Sequence, residues 1–479
     1  MSTPLWTAQE AADATGGSVV GDWDVTGVSI DTRELSAGDL FVALKDQRDG
    51  HEFVPQALEK GAAAALVSDV GVEGPKLLVD DTLKGLEKLG LAARARSRAV
   101  HAAVTGSVGK TSVKEMVAQI FRSQGPAHCN VRSFNNHWGV PLTLARMPRE
   151  TVRAIFEIGM NTPGEIAPRS NMVRPQIAAI TKIATAHLEG LGGLDAVADE
   201  KSDIFSGLTP DGVAILPRED RFYDYMKARA FDLQPHTQLL SFGGADSGAD
   251  ARLVSFSDDG EVSTGVAEIL GEQVRFSLRA VGDHWGMNAV LAILIGRLSG
   301  MTAGEAALGL AGFYPPSGRG GAQKLNLPDV GEITLLDDAY NANPESMRAA
   351  LSALGKRKGR KIAILGEMLE LGEGAEQLHA ELAEPIRAAN VSEVFLAGQG
   401  MRSLESVLAN NKNEPGVCWT STAEELNLLV NKSLKSGDCV LIKGSNASGI
   451  AKVGSALKAL SEKTLEDAMN NTQTSTGGA

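Results

Sequence analysis

The sequence predicts an α/β protein with three domains. Short apolar segments alternate with segments of helical spacing along most of the chain, which is typical of parallel sheets covered by helices. The chain has 479 residues, of which 43% are hydrophobic, so it is too long for one ordinary domain. The proline- and glycine-rich run Pro315–Gly321 predicts a linker. We therefore expect domains at 1–97, 98–318 and 319–465, and a disordered, mostly polar tail at 466–479.

The first domain contains two short apolar runs, 40–44 and 64–67, which predict strands. Residues 53–61 lie between them at helical spacing and end on glycine, which predicts a helix with a glycine cap. A basic helical run at 86–98 is expected to lead into the second domain.

The second and third domains repeat the alternation of strand and helix. Strands of the second domain are expected at 99–104, 153–158, 177–180 and 212–216, followed by an antiparallel hairpin region near 262–282. Strands of the third domain are expected at 332–336, 361–365, 393–397 and 438–442. In sheets of this kind, ligands bind at the carboxyl ends of the strands.

Composition and charge exclude several classes of protein. The net charge of −13 argues against a broad nucleic-acid or membrane-surface footprint, so neither a nucleic-acid partner nor membrane insertion is expected. The separated cysteines Cys129, Cys418 and Cys439 form no disulfide framework and no zinc motif, which indicates a reducing compartment. The sequence has no signal-peptide pattern and no apolar run long enough to cross a bilayer. We expect a soluble, cytoplasmic monomer.

The run Thr105–Thr111 carries the strongest chemical motif. It joins an apolar strand to an amphipathic helix, which is the context that a phosphate-binding loop requires. Gly106 and Gly109 let backbone N–H groups turn toward phosphates, and the helix N-terminus adds its positive dipole. Lys110 is expected to reach the terminal phosphates and the Thr111 hydroxyl to hold Mg²⁺. The sequence therefore predicts an ATP-using enzyme.

Two strand ends behind this loop carry side chains that suit magnesium-dependent phosphoryl transfer. Glu157 lies near the end of one apolar strand, and His187 follows another. Taken singly, Glu157 is equally well an ordinary strand-end charge, and a lone histidine is more often structural. Lys201, farther along, is by its sequence context a solvated helix charge.

Polar clusters elsewhere predict ligand-facing loops. The densest, at 337–344, directly follows a strand, and its alternative is a plain strand-to-helix turn with an N-cap. Another lies in the glycine-containing segment 282–289. In the first domain, clusters at 29–33 and 49–53 bracket a strand, and Arg33 is expected either to bind a phosphate bidentately or to form a surface ion pair.

In combination, these motifs resemble those of the Mur ligases, ATP-dependent enzymes that form amide bonds in peptidoglycan precursors. The resemblance covers about residues 25–450. It rests on superfamily motifs, which are Gly106–Thr111 (with Val104 where the common loop pattern has glycine), Glu157, Ala186–Glu189, Lys201, His284 with Asn288, and Arg319. Further motifs resemble the branch that adds a dipeptide, namely Asp31–Arg33, Gly38–Lys45, Asn135–Leu144 and Tyr340–Pro344.

The resemblance implies a small N-terminal α/β domain that binds UDP, a central P-loop domain with a parallel sheet that binds ATP, and a C-terminal Rossmann-like α/β ligase domain. It implies ATP and Mg²⁺ as cofactors and a carbamylated lysine at Lys201. The implied substrates are UDP-N-acetylmuramoyl-tripeptide (UDP-MurNAc-tripeptide) and D-alanyl-D-alanine (D-Ala-D-Ala). In the implied reaction the tripeptide carboxylate attacks the γ-phosphate of ATP, and the dipeptide amine then attacks the resulting acyl phosphate.

The resemblance also implies roles for individual residues. Catalysis is assigned to Lys110, His187, Lys201 and Arg319. ATP binding is assigned to Gly106, Ser107, Val108, Gly109, Lys110, Thr111, Ser112, Asn288, Arg319, Asp338, Tyr340 and Asn341. The metal ligands are Thr111, Glu157, His187 and Lys201. Binding of the UDP substrate is assigned to Thr32, Arg33, Lys45, Asp49, Gly50, His51, Phe53, Asn135 and Asn136.

Four positions depart from the family pattern. Lys182 and Ala184 stand where asparagine and glycine are usual. Glu367 stands in place of aspartate and Asn446 in place of arginine. These departures bear on the C-terminal substrate contacts rather than on the reaction.

Three rival hypotheses have distinct requirements. Another ligase of the superfamily, such as a folylpolyglutamate synthase, is disfavoured by the motifs at 31–51 and 340–344. A P-loop ATPase or kinase has no need of Lys201 and no acceptor dipeptide. A non-catalytic nucleotide-binding regulator does not require Glu157 and His187 beside the loop.

Overall fold

The computed structural model describes residues 3–184, 193–259, 262–280, 282–372, 374–409 and 414–476. Within this part of the chain, the strands form large sheets of five, nine and six strands and one small sheet of two. The large sheets lie within residues 18–78, 100–278 and 321–443, so each falls inside one predicted domain range. The α/β class is confirmed, whereas the domain boundaries stay predictions.

The strands are β1 Trp6–Thr7, β2 Ser18–Val20, β3 Asp24–Val25, β4 Gly27–Ser29, β5 Asp39–Val42, β6 Ala64–Val67, β7 Lys76–Leu78, β8 Val100–Thr105, β9 Ala127–Cys129, β10 Arg153–Glu157, β11 Ile177–Ile180, β12 Val213–Pro217, β13 Gln238–Gly244, β14 Ala251–Asp258, β15 Ser263–Ile269, β16 Glu272–Leu278, β17 Gly321–Leu327, β18 Gly331–Asp338, β19 Lys361–Gly366, β20 Glu393–Ala397, β21 Gly416–Thr420 and β22 Cys439–Lys443.

The α-helices are α1 Ala8–Thr15, α2 Val54–Glu59, α3 Thr82–Arg96, α4 Lys110–Arg122, α5 Gly139–Ala145, α6 Ile166–Val173, α7 Leu194–Ser202, α8 Tyr223–Leu233, α9 Asp283–Leu298, α10 Ala303–Gly309, α11 Pro344–Gly355, α12 Ala375–Ala380, α13 Ala383–Ala388, α14 Arg402–Ala409, α15 Ala423–Ser433 and α16 Ala451–Thr476. Short 3₁₀ turns lie at Gly50–Phe53, Asp203–Gly207, Gln399–Met401 and Asn446–Ser448.

The nine-stranded sheet has the order β16-β15-β14-β13-β12-β11-β8-β10-β9. Its strands from β9 to β14 pair in parallel, and β14, β15 and β16 form an antiparallel extension. Strand β8 lies between β10 and β11, and residues 101–105 are buried, which fits its nearly continuous apolar sequence. The loop after β8 therefore emerges at the carboxyl edge of the sheet, where ligands bind in such folds.

Helix α4 begins directly after that loop and fixes its outgoing end. Its residues Val113, Met116, Val117 and Ile120 follow helical spacing and are fully buried in the core of the nine-stranded sheet. Burial of each such side chain contributes about 1.5–3 kcal/mol. The N-terminus of α4 is thereby held rigidly at the sheet edge.

The six-stranded sheet has the order β17-β18-β22-β19-β20-β21 and is parallel apart from the β17–β18 hairpin. Strand β18 ends at Asp338, and the polar residues after it lead into α11. The side chain of Asn343 caps that helix by accepting a hydrogen bond from the Ser346 amide at 2.9 Å, and Pro344 occupies its first turn. The N-cap is present as one alternative expected, and the same segment also lines a cavity described below.

Three segments differ from the sequence-based expectation. Residues 241–261, which are rich in glycine, serine and aspartate, fall outside the strands that we expect, yet they include most of β13 and all of β14, because pairing with neighbouring strands outweighs composition. The expected linker at 315–321 overlaps the first residue of β17. This segment forms a strand because it pairs with β18, a contact that the local sequence does not indicate. Residues 466–476, for which we predict disorder, continue helix α16, and they contain the helix formers Glu466, Ala468 and Met469.

Candidate active site

The phosphate-loop motif adopts the backbone that its glycines permit. Gly106 has a φ of 147° and Gly109 a φ of 85°, values that side-chain-bearing residues rarely adopt. A Cβ at Gly106 would also clash with Oγ1 of Thr181, and one at Gly109 would lie 3.0 Å from Oδ1 of Asn288. Both glycines are therefore required by strain and by close contact, as the sequence predicts.

The segment 181–184 after β11 holds the loop from one side. The Ser107 amide donates to the Lys182 carbonyl at 2.8 Å, and the Ser107 hydroxyl donates to the Ala184 carbonyl at 2.9 Å. The Thr181 hydroxyl donates to the Val108 carbonyl at 2.5 Å. These bonds fix the loop before any ligand is present.

Thr111 and Glu157 form a buried pair beside the loop. The Thr111 hydroxyl donates to Oε2 of Glu157 at 2.7 Å, and the Asn135 side-chain amide donates to Oε1 at 2.7 Å. Glu157 is 1% exposed, and its own amide donates to Oδ1 of Asn130 at 2.7 Å. A carboxylate and a hydroxyl oxygen at one place are ligands that Mg²⁺ accepts together with nucleotide phosphates. The structure thus brings together two of the predicted metal ligands.

Lys201 is buried in α7, which corrects the sequence-context prediction of a solvated charge. It is 1% exposed and lines the same cavity as the loop. Burial lowers the pKa of Lys201 well below its usual range, and the nearby charge of Lys110 lowers this pKa further. Burial also lowers the pKa of Lys110, while the carboxylate of Glu157 raises it. The ammonium of Lys110 donates to the Gly106 carbonyl at 2.5 Å.

Arg319 and Asp338 reach the cavity from the side of the six-stranded sheet. The guanidinium of Arg319 lies 3.9 Å from the centroid of the Tyr340 ring and donates to the Ser133 hydroxyl at 3.3 Å. The buried ammonium of Lys443 donates to Oδ2 of Asp338 at 2.7 Å and to the Asn341 carbonyl at 3.0 Å. These contacts orient the expected nucleotide-binding groups on this side.

The side chains around the loop line a cavity of about 560 Å³, here called the nucleotide cavity. Predicted site residues in its lining are Ser107, Val108, Gly109, Lys110, Thr111, Ser112, Asn135, Glu157, Lys201, Asn288, Arg319, Asp338, Tyr340 and Asn341. His187, predicted as a metal ligand, lies outside the described residues. Among the described residues, no group of three or more histidine, cysteine, aspartate or glutamate side chains forms a metal site.

Asn135 and Asn136 were expected to bind the UDP substrate, and the structure gives both of them protein partners. Asn135 donates to Glu157, as described above, and Oδ1 of Asn136 accepts from the Gly139 amide at 2.9 Å at the start of α5. The lining of the nucleotide cavity includes Asn135 but not Asn136. Whether either residue also binds substrate stays a prediction.

A second cavity of about 840 Å³, here called the N-terminal cavity, lies in the first domain. Its lining includes the predicted residues Lys45, Asp49 and His51. Nδ1 of His51 lies 2.5 Å from Oδ1 of Asp49, and Nε2 of His51 accepts from the Ser68 amide at 2.9 Å. These bonds fix the imidazole at the cavity wall.

The lining of this cavity leaves out the other predicted residues of the first domain, although Gly50 and Phe53 belong to the same short turn as His51. Its lining among the described residues does not include Thr32, Arg33, Gly50 or Phe53. Arg33 is 85% exposed and pairs with Asp31 at 2.6 Å, which is the surface ion pair that we left open. The hydrogen bonds and the charge of Arg33 lower the pKa of Asp31.

Sequence reasoning missed several cations at both cavities. Lys84 and Lys88 line the N-terminal cavity from α3, where their spacing of four residues places them on one helix face. Lys182 and Lys443 line the nucleotide cavity. The four-residue spacing of Lys84 and Lys88 could have indicated that they share a helix face. Lys182 and Lys443 reach the nucleotide cavity only after the chain folds.

Comparisons with known proteins cover almost the whole chain. Three family models match it, which are "Mur ligase family, catalytic domain" over 24–123, "Mur ligase middle domain" over 104–296 and "Mur ligase, glutamate ligase domain" over 326–446. The chain is 33% identical over 460 residues to the UDP-N-acetylmuramoyl-tripeptide--D-alanyl-D-alanine ligase of Escherichia coli, covering 94% of this chain and 98% of that relative. It is 34% identical to the enzyme of the same name from Bacillus subtilis, covering 90% and 92%.

Solved structures give the same result. MurF from Acinetobacter baumannii matches with a TM-score of 0.82 and 28% identity, covering 95% of this chain and 99% of that one. MurF ligase from Thermotoga maritima, solved with ADP, matches in fold with a TM-score of 0.76 and 24% identity, covering 91% and 98%. No helix in the described part of the chain is long and apolar enough to cross a membrane. The chain therefore belongs to the Mur ligase family, in its branch of UDP-N-acetylmuramoyl-tripeptide–D-alanyl-D-alanine ligases.

Proposed function

We propose that the chain uses ATP to join D-Ala-D-Ala to UDP-MurNAc-tripeptide, the last cytoplasmic step in making UDP-MurNAc-pentapeptide for peptidoglycan. One observation carries the proposal. The nucleotide cavity is lined by the phosphate loop, the Thr111–Glu157 pair and the buried Lys201 from the domain of the nine-stranded sheet. Arg319 and Asp338 line it from the domain of the six-stranded sheet. The two curated relatives described above, which carry this activity in their names, match 94% and 90% of the chain.

The phosphate loop and its surroundings bind ATP in this proposal. Backbone N–H groups of 106–111 and the N-terminus of α4 hold the phosphates, and Lys110 reaches the terminal ones. Asn288, which lies against Gly109, is assigned to the base, and Asp338, held by Lys443, to the ribose. Both assignments come from the family resemblance.

The residues present fit Mg²⁺ through oxygen donors, with Thr111 and Glu157 as ligands. When bound, Mg²⁺ supplies positive charge that offsets the charge gathering on the phosphates during transfer. An ammonium at Lys201 does not fit a cation site, but a carbamate does. Burial favours the neutral amine that reacts with carbon dioxide, which supports the carbamate assignment.

Charge determines what the other residues do in the reaction. The tripeptide carboxylate attacks the γ-phosphorus, the bond to the ADP oxygen breaks, and an acyl phosphate forms. The dipeptide amine then attacks the acyl carbon, loses a proton, and inorganic phosphate leaves. Both steps bring anions together, so Lys110 and Arg319 stabilise the developing negative charge. Closure of the cleft around them excludes water, which would hydrolyse the acyl phosphate.

The N-terminal cavity is assigned to the UDP end of the substrate. Lys45, Lys84 and Lys88 supply cations for a diphosphate, and the fixed His51 borders them. The nine-stranded sheet then receives the tripeptide end at the nucleotide cavity.

Phosphate release tests this function. We expect release from ATP only when UDP-MurNAc-tripeptide and D-Ala-D-Ala are both present, with the pentapeptide product identified by mass spectrometry. Release without the dipeptide would indicate an ATPase, formation of ADP without release of phosphate would indicate a kinase, and nucleotide binding without turnover would indicate a regulator. Turnover with glutamate in place of the dipeptide would indicate another ligase of the superfamily.

A further inference from the structure

Two ion pairs join helix α11 of the C-terminal domain to the domain of the nine-stranded sheet. At the start of the helix, Nζ of Lys182 lies 3.4 Å from Oε1 of Glu345. Just past its end, Nζ of Lys356 contacts both carboxylate oxygens of Asp283 at 2.7 Å. The first pair lines the nucleotide cavity, whereas neither member of the second does.

Lys182 is mechanically tied to the phosphate loop. Its carbonyl accepts the Ser107 amide, and the preceding Thr181 contacts Gly106 and bonds to Val108. An ion pair that restrains the Lys182 side chain therefore also restrains the segment that positions the phosphate loop. The side chain is 52% exposed and extends across the cleft.

Glu345 occupies the first turn of α11, where the helix dipole favours a carboxylate. Its Oε1 faces Lys182, while its Oε2 is buried and has no hydrogen-bond partner among the described residues. A carboxylate with a buried, unpartnered oxygen is costly unless a cation lies beside it. Because the Glu345 side chain as a whole is 36% exposed and has Lys182 as its ion-pair partner, the charge of Lys182 favours the position that α11 takes in this structure.

We propose that Lys182 and Glu345 form a latch between the two domains, which holds α11 over the phosphate loop and thereby strengthens nucleotide binding. The latch rests on the proposed function only in that the cavity binds ATP. Because the family usually has asparagine where Lys182 stands, the latch is a property of this chain's own residues. Both are positioning residues in this proposal, since they act through the loop and the helix.

Binding of Mg²⁺ with a non-hydrolysable ATP analogue, measured by calorimetry on the full chain, tests the latch. We expect Lys182→Gln and Glu345→Gln each to weaken binding about fivefold, the upper range for a partly exposed ion pair. The double variant should bind like either single variant. The exchange Lys182→Glu with Glu345→Lys should bind the analogue more tightly than Lys182→Glu alone, because it restores the pair with reversed charges.

The second pair provides a matched control on the same helix. Lys356 and Asp283 have side chains 42% and 73% exposed, and we expect Lys356→Gln to change analogue affinity less than twofold. Additive losses in the Lys182 and Glu345 variants would overturn the latch, as would wild-type affinity in either. Tighter binding by Glu345→Gln would also overturn it, because Glu345 would then be competing with phosphates for Lys182.

The analogue measurement separates this proposal from the proposed function. Acyl transfer is not needed for the analogue to bind, so absence of dipeptide-dependent phosphate release would leave the coupling between the two residues intact. Conversely, dipeptide-dependent activity together with additive effects of the Lys182 and Glu345 variants would support the proposed function and overturn the latch.

Discussion

The nucleotide cavity and the N-terminal cavity differ in how their polar groups are held. In the first, Thr111, Glu157 and Asn135 are joined by hydrogen bonds of 2.7 Å, and Glu157 is almost completely buried. In the second, Lys45 and Asp49 lie 3.6 Å apart with side chains 60% and 40% exposed. One set of groups is fixed before a ligand arrives, whereas in the other the exposed Lys45 is free to adjust beside the fixed pair of Asp49 and His51.

The difference matches two kinds of work. Stabilising charge that develops during phosphoryl transfer requires groups already in place, since moving them during the reaction would cost free energy. Holding a flexible diphosphate requires only nearby cations. We therefore expect changes in the nucleotide cavity to act on kcat and changes in the N-terminal cavity to act on KM.

The largest effect is expected from Lys201→Ala, which removes the proposed carbamate. We expect kcat to fall about a thousandfold, the upper range for one electrostatic stabiliser, and added bicarbonate not to restore it. Lys201→Met keeps the buried apolar volume and should be equally inactive. Turnover like that of the unmodified chain in either variant would exclude the carbamate role, and recovery in the Met variant alone would show that Lys201 acts by packing.

A smaller effect is expected from Glu157→Gln, which keeps the shape of the side chain and removes its charge. We expect kcat to fall about a hundredfold and the Mg²⁺ concentration for half-maximal activity to rise, because one anionic ligand is lost. Titration of activity with Mg²⁺ measures both. An unchanged Mg²⁺ requirement would contradict the metal assignment and leave Glu157 as a support for Thr111.

The smallest effect is expected from Lys84→Gln in the N-terminal cavity. Loss of one exposed cation should raise KM for UDP-MurNAc-tripeptide about fivefold, with kcat and KM for ATP unchanged. Lys324→Gln, which breaks an exposed ion pair with Glu332 in the third domain, serves as the control. A fall in kcat for the Lys84 variant would erase the distinction between the two cavities.

The parts of the nucleotide cavity that could be predicted from the sequence are those whose structure is determined by adjacent residues. The apolar strand β8, the glycines of the loop and the helical spacing of α4 each follow from adjacent residues, so the phosphate loop is predicted with its geometry. The position of Glu157 could be predicted for the same reason, because it lies at the end of an apolar strand. Arg319 and Asp338 were placed through the family resemblance, which already contains the tertiary information.

The remaining features depend on contacts between distant segments. Burial of Lys201 follows from packing of α7 against α6, α8 and the 3₁₀ turn at Asp203–Gly207, contacts that the residues next to Lys201 in the sequence do not indicate. Strand β17 begins at the end of a glycine-rich run and could not be predicted from its own sequence, because it forms a strand only by pairing with β18. The contact between Lys182 and Glu345 exists only after two domains meet.

The contact between Gly106 and Thr181 has a consequence for inhibition. A side chain at position 106 would strain the backbone and clash with Thr181, and Gly109 is restricted in a similar way by its φ and by Asn288. An inhibitor that binds the backbone N–H groups of this loop would recognise atoms that no point mutation other than one to proline removes. Resistance would then have to arise elsewhere in the cleft, at side chains such as Tyr340 that the loop does not constrain.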